Sequence, residues 1–563
     1  MAMITRRMFL TMSSMFATVL VLFLGTTEAH DLQVSSGERV PPKGPGSAGG
    51  DFDVREVDDI AELSERDVVF VGRSQVLERT AEEWCRLGRR HLVSALRAED
   101  LQGKSIAAMV LVQGSELSEN GVDALCSLAD RGNTIVFMDL PPASFVESQW
   151  RLSGLLGVRE VRDNSVRIDG YHLFSGFLLG GETIYGTTAR EEKLQDLSLS
   201  IPWYVTLDGC ETYMVGMMGE NLDDEDQNQY LPAVIWRCGL RKGNVFAVNG
   251  DFMQDDLAGM GILSAMQYAG SDYVVQPVVN AQVFSVLDFP GSEDGNERRM
   301  SEVYGRSQTG VQQKIMYPSL STLMADTDTV MTDLWSGDDS SQLYRDSLRE
   351  LGETSGEMGI SFRQGTSSVH HDFLTAYAPD SSPLPQSVRT RVLPQASGED
   401  VVSYVSDDVT GQRVTSVPSE FTYSADLALK GSETMLAYAG AMLDGHKPLW
   451  PKTTDDEWQN YFRRVSANYA TYWKPFSSFS RVSASEADAR IRTFLHIDLG
   501  VEEKDGSVCL ASGVSDPSYY LLRTHGSKPV GVTGGSVTQI EKDAWLLRME
   551  GSSMSFKWRE EAQ

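Results

Sequence analysis

A chain of 563 residues with 41% hydrophobic content exceeds what one hydrophobic core supports, so about two to four domains are expected. The 79 acidic against 49 basic side chains give a formal net charge of -30, which argues against nucleic acid and anionic lipid surfaces as partners but tolerates a polymer carrying free amines. Five cysteines, Cys85, Cys126, Cys210, Cys238 and Cys509, are too few and too scattered for a disulfide scaffold, and none forms a CxxC pair. Cys210 and Cys238 could bridge; otherwise the thiols read as small buried apolar residues.

At the N-terminus, Arg6 and Arg7 precede an uncharged apolar run over residues 8–25, and Glu28 and Asp31 follow it. That charge order places the N-terminus inside and the rest of the chain outside. The run is close to the roughly 20 residues that span a bilayer, which favours a retained single-pass anchor at the cell membrane over secretion after cleavage near Thr27 and Ala29. Residues 1–29 are thus a signal anchor or signal peptide. Residues 30–53, rich in Gly, Ser and Pro, read as a flexible linker.

From Val54 short apolar runs alternate with amphipathic stretches: strands at 67–71, 107–112 and 134–138, helices at 77–96 and 121–130. Strands with few polar residues, separated by helices, predict a parallel sheet covered on both faces. An open α/β domain is expected over residues 54–245, more β-rich in its second half, with Gly-punctuated pieces at 167–187 and a strand near 231–237. Its layout resembles class I glutamine-amidotransferase-like domains. Cys85 and Cys126 both fall in predicted helices, not in the strand-turn-helix elbow that a nucleophile needs, so a scaffold or binding role is expected of it.

The stretch Asn244-Val245-Phe246-Ala247-Val248-Asn249-Gly250-Asp251-Phe252 is a buried-strand pattern ending in a polar cluster, where barrel-type α/β folds place their sites. Here the sequence resembles the NodB-like polysaccharide deacetylases, whose first motif closes a strand with two carboxylates, one the base and one a metal ligand. The resemblance is nearest to membrane-anchored NodB-like proteins associated with Pel-type exopolysaccharide systems of Gram-positive bacteria. It implies a (β/α) barrel-type domain over residues 246–495 and puts Asp251 in the metal-binding position, with Asn249 in that of the base. Asparagine cannot take a proton from a metal-bound water at neutral pH. Asp255 and Asp256 are candidate substitutes, although a place at a helix N-terminus explains them more simply.

The second motif of the family supplies two histidines one helical turn apart. The matching segment, residues 348–361, has the expected helix, glycine and strand, but Ser361 stands where the first histidine belongs. The adjacent His370 and His371 could rebuild a site with Asp251 around zinc or another divalent metal; without such rebuilding no cofactor is expected.

Between these motifs, residues 272–281 read as a strand and its approach, and Tyr317-Pro318 open a helix. Strand-helix alternation continues at 401–405, 420–423 and 432–443. Trp458, Phe462 and Tyr469 recur at helical spacing over 456–476, either a core face or a sugar-stacking platform, with the core face favoured. Ser483 to Glu486 carry a capping pattern before a helix reaching Phe494. Over residues 496–563, strand-like pieces between Gly and Asp turns predict a small antiparallel β domain.

There is no GxSxG elbow, P-loop, HExxH or zinc-finger spacing. A glycoside hydrolase would need two facing carboxylates, and Asp288, Asp372, Asp456 and Glu457 have no assigned place. The expected function is that of a membrane-tethered, non-catalytic component that binds polysaccharide, such as an amino-sugar polymer, or exopolysaccharide export proteins. The alternative is an active metal-dependent N-deacetylase with a rearranged site.

Overall fold

The computed structural model describes residues 54–560 except 58–62, 65, 105–108, 182–196, 219–230, 240, 291–294, 337–355, 363–372, 380–383, 397, 421 and 505. The expected anchor and linker, residues 1–53, lie outside the described residues. No helix among the described residues is long and apolar enough to cross a membrane.

The first sheet has nine strands; after the short edge strand Arg55–Glu56 comes β1 (Asp67–Val71), whose five residues are all buried. Helix α1 (Gln75–Leu87) follows, capped by the Ser74 side chain, and it buries Leu77, Ala81, Trp84 and Cys85 at helical spacing. Next come β2 (His91–Ala95), β3 (Met109–Gln113), helix α2 (Glu119–Asp130) and β4 (Ile135–Asp139). These strands are parallel in the order β2, β1, β3, β4. Strands that are apolar but for their ends and Ser94, lying under helices, explain that arrangement. Four further strands extend the sheet beyond β4: β5 (Cys210–Met217), β6 (Ala233–Cys238), β7 (Val245–Val248) and the edge strand Gly170–Leu173, which pairs with β5. β7 runs parallel to β4, while β6 and β5 add as antiparallel neighbours.

Helix α3 (Asp256–Ala269) then crosses to a second, eight-stranded sheet. Its strands are β8 (Ala281–Leu287), β9 (Met331–Trp335), β10 (Glu357–Ser361), β11 (Thr375–Tyr377), β12 (Thr390–Leu393), β13 (Val402–Ser406), β14 (Val409–Arg413) and β15 (Tyr438–Asp444). The order is β13, β14, β12, β11, β10, β9, β8, β15, parallel throughout except for the β13–β14 hairpin. Helix α4 (Tyr317–Thr327) joins β8 to β9, and helix α5 (Tyr423–Leu436) leads into β15. The molecule is therefore mixed α/β, with a barrel-type parallel sheet as its second main element.

Helices α3 and α5 fasten the two sheets together. α3 packs on α1 and on α5, and α5 packs on β15. The α3–α5 approach depends on glycines: a Cβ on Gly261 would meet the Gly431 Cα at 2.1 Å. One continuous apolar core accordingly holds Val68 and Leu111 of the first sheet, Leu263 of α3, Leu427 of α5 and Leu287 of the second sheet. Each such side chain contributes about 1.5–3 kcal/mol on burial, which makes this contact a main stabilising element.

After β15 come helix α6 (Trp458–Asn468) and helix α7 (Ala484–Leu495), the latter capped by Ser483 as the sequence predicts. Trp458 and Tyr469 are buried, and Trp458 stacks on Phe462 at 4.9 Å, so this aromatic series is a core face and not an open platform. The C-terminal region builds two four-stranded sheets. The strand Tyr273–Val278 pairs with Ser518–Thr524 in one of them, so the segment just before β8 is built into the C-terminal sheets.

Candidate functional site

Strand β7, whose exit carries Asn249 and Asp251, lies in the first sheet beside β4 and β6. The rim of the barrel-type sheet is built largely by other residues, and of the sequence-predicted set Asp251, Asp255 and Asp256 fall within the described residues. The Asn249 side chain is a buried structural amide, donating to Pro202 O and Ala233 O at 2.9 Å each. Asp251 is exposed on the loop that follows. Asp255 caps α3, accepting from Ala258 N at 2.9 Å, and Asp256 pairs with Arg413 at 2.7 Å. These two are structural charges at a helix N-terminus. His370, His371 and Asp372 lie outside the described residues. Asp456 accepts from Lys452 N and Thr453 N at 3.0 Å each in a tight turn, and Glu457 immediately precedes α6.

A second buried strand that ends in a carboxylate is β8, with Asp288. Asp288 directly follows β8, the strand flanked by β9 and β15, and its backbone is left-handed at φ +54. Its side chain reaches over the end of β9 to β10, where Ser361 Oγ donates to Asp288 Oδ1 at 2.8 Å. Both residues are 1% exposed. On the other flank, Gly445 N donates to Leu287 O at 2.8 Å and brings the end of β15 against that of β8. The Asp444 carboxylate accepts from His446 N at 3.0 Å and Lys447 N at 3.3 Å, which fixes the turn carrying His446. The His446 ring stacks over Trp450 with centroids 6.4 Å apart, its Nε2 is buried without a hydrogen-bond partner, and Trp450 is 43% exposed. Asp288, Ser361 and Asp444, with the turn that carries His446 and Trp450, thus lie at the carboxyl ends of three strands of this sheet, and this rim brings Asp288 and Ser361 into contact.

Zinc sites are made of imidazole, thiolate and carboxylate groups, and Ser361 brings a neutral hydroxyl that is committed to Asp288. Among the described residues no three His, Cys, Asp or Glu side chains gather in a way that could hold an ion.

The first sheet has a crevice of its own. Its order β2, β1, β3, β4 reverses direction between β1 and β3, and ligands of open α/β sheets bind outside the carboxyl ends at such a point. Here the crevice is filled from within. Gln113 Oε1 accepts from Arg73 N at 2.7 Å and Ser74 N at 2.9 Å, taking the donors at the start of α1. Gly72 makes room for it, because a Cβ there would lie 2.6 Å from Gln113 Cβ. Cys85, fully buried on α1, has its thiol pushed up to about 12 by burial, which removes it as a nucleophile.

Asp288 and His446 were within reach of the sequence. The run Val283-Phe284-Ser285-Val286-Leu287-Asp288 is as clear a buried strand ending in a carboxylate as the one before Asp251. What the pattern lacks is any sign of which sheet each strand joins.

These features define a mixed α/β protein with a polar rim on a barrel-type parallel sheet. No protein-family model matches the chain, and no curated protein sequence matches it. Among solved structures it is similar to Agd3, described as a novel carbohydrate deacetylase, at 8% identity and a TM-score of 0.47, covering 88% of this chain and 98% of that one. Lesser likenesses are to the exo-beta-1,4-mannosidase Op5Man5 from Opitutaceae bacterium strain TAV5 (16% identity, TM-score 0.24, 36% of this chain and 35% of that one) and to the beta-galactosidase from Bacillus circulans sp. alkalophilus (11% identity, TM-score 0.22, 39% and 35%).

Proposed function

We propose that this chain is a membrane-tethered, extracytoplasmic relative of polysaccharide deacetylases that binds polysaccharide at the barrel rim without hydrolysing it, as a scaffold component of exopolysaccharide production or export. The observation that carries this reading is the Ser361–Asp288 hydrogen bond: by the sequence resemblance Ser361 stands where a deacetylase needs a metal-binding imidazole, and its hydroxyl is committed to a carboxylate. The Gln113 plug in the crevice of the first sheet agrees with a supporting role for that domain. Trp450 offers the rim an exposed aromatic face, the kind of surface on which sugar rings stack.

The second reading, an active deacetylase with a rearranged site, is favoured by the unpartnered Nε2 of His446 on the same rim as Asp288. Binding measurements separate a working rim from an inert one. The full chain in mild detergent is titrated with acetylated and deacetylated amino-sugar oligomers, alongside Trp450→Ala. Saturable binding that weakens at least tenfold in Trp450→Ala supports the proposal. Equal affinity in parent and variant, or no binding, removes the rim as the binding surface.

A further inference from the structure

The helix Trp150–Leu156 ends on Gly157, which is left-handed at φ +69. A Cβ built on Gly157 would lie 2.3 Å from Cys210 Sγ and 2.4 Å from Cys238 Sγ, so the two sulfurs crowd the space that one methyl group would take. Cys210, on β5, and Cys238, on β6, are direct partners across an antiparallel pair. Residues opposed in this way have Cα atoms about 4.5–5.5 Å apart, inside the range of roughly 4.4–6.8 Å that a disulfide spans. Cys238 is 2% exposed and Cys210 is the less buried of the two, so Cys210 is the member of the pair nearer to an incoming reagent. Cys85 and Cys126 have no such opposed thiol, lying on separate helices.

We propose that Cys210 and Cys238 are a redox pair that closes to an intramolecular disulfide when the chain meets a disulfide donor of the glutathione-disulfide class. The Cys210 thiolate attacks one sulfur of the donor, forming a mixed disulfide and releasing one donor thiolate. The Cys238 thiolate then attacks Cys210 Sγ, forming the Cys210–Cys238 bond and releasing the second donor thiolate. Two protein thiols are oxidised, one donor disulfide is reduced to two thiols, and the protons lost from the cysteines appear on those thiols. The hydrogen bond shared with Cys238, together with burial, holds the Cys210 thiol well above its ordinary range, so the exchange is slow at neutral pH. The reducing cytoplasm keeps such a pair open and an extracytoplasmic setting closes it. The bond ties β5 to β6 across the intervening residues, and it stands independently of the carbohydrate reading.

The full chain, purified with reductant in mild detergent, is exposed to oxidised glutathione. Thiols are counted in denaturant and peptides are mapped without reduction. The expected result is the loss of two free thiols to one new cross-linked peptide joining Cys210 to Cys238, counted apart from a glutathione adduct on the exposed Cys509. In Cys238→Ser the same treatment should stop at a glutathione adduct on Cys210. Five free thiols after prolonged oxidation, or a cross-link from Cys210 to Cys509 or to a second chain, would overturn the proposal. Mapping of the parent decides the matter even if the variant does not fold.

Discussion

Glu433 is a fully buried carboxyl group in the middle of the fold, on the inward face of α5. Gln282 Nε2 of β8 donates to its Oε1 at 2.7 Å, while Oε2 has no partner. Burial pushes its pKa from 4.5 up to about 8, against smaller lowering effects of the Gln282 hydrogen bond and of Arg481. Below pH 4.5 both folded and unfolded chains carry the proton and the full stability is present. Between pH 4.5 and 8 the unfolded chain releases it while the folded chain keeps it, so stability falls by about 1.4 kcal/mol per pH unit, and the fall levels off above pH 8. The accumulated loss is roughly 3 kcal/mol at pH 7 and roughly 5 kcal/mol above pH 8. Glu433→Gln keeps an acceptor for Gln282 and cannot ionise. Urea denaturation of parent and variant at half-unit steps from pH 4.5 to 9 should give curves that nearly coincide at the acid end and diverge steadily, the variant becoming the more stable by a few kcal/mol at pH 8. A stability difference that stays constant across this range would refute the assignment of a buried, protonated Glu433.

Asp333, on β9, is 1% exposed and neither carboxylate oxygen has a hydrogen-bond partner; desolvation holds its pKa well above the ordinary value. Asp333→Val should raise the melting temperature at pH 7, with a gain that grows as pH rises; a lowered melting temperature would show that the carboxyl has a partner to lose. Gly431→Ala places a methyl group 2.1 Å from Leu257 O at the α3–α5 contact and should cost about 1–3 kcal/mol or abolish folding, as read by the denaturation midpoint. Gln113→Ala strips the acceptor from two backbone donors and should cost about 1–2 kcal/mol, with the stability partly restored by added sulfate if the emptied crevice takes an oxyanion.

Where local chemistry determined the outcome, the sequence was readable. The Ser483 cap, the placement of Asp255 at a helix start and the burial of the Trp458 series all follow from side-chain spacing and capping. Glu420 to Tyr423 read as a strand because of their aromatic residues, yet Thr422 is the N-cap of α5, and the all-buried face of that helix hides its periodicity. Strand partnership was not readable at all. The strands before Asp251 and before Asp288 look alike in sequence, and only the tertiary fold assigns one to the first sheet and the other to the barrel-type sheet. Asp251 follows a strand of the first sheet and Asp288 one of the barrel-type sheet two strands further on, while Ser361 ends β10.

The central claim, that the rim binds without metal-assisted hydrolysis, is tested most directly by metal analysis of the full chain after zinc loading and desalting, together with acetate release from acetylated amino-sugar oligomers. The account predicts far less than one zinc per chain and no acetate above the rate of a heat-denatured control. One zinc per chain, with acetate release that is lost in Asp288→Ala, would contradict it and establish the rearranged enzyme.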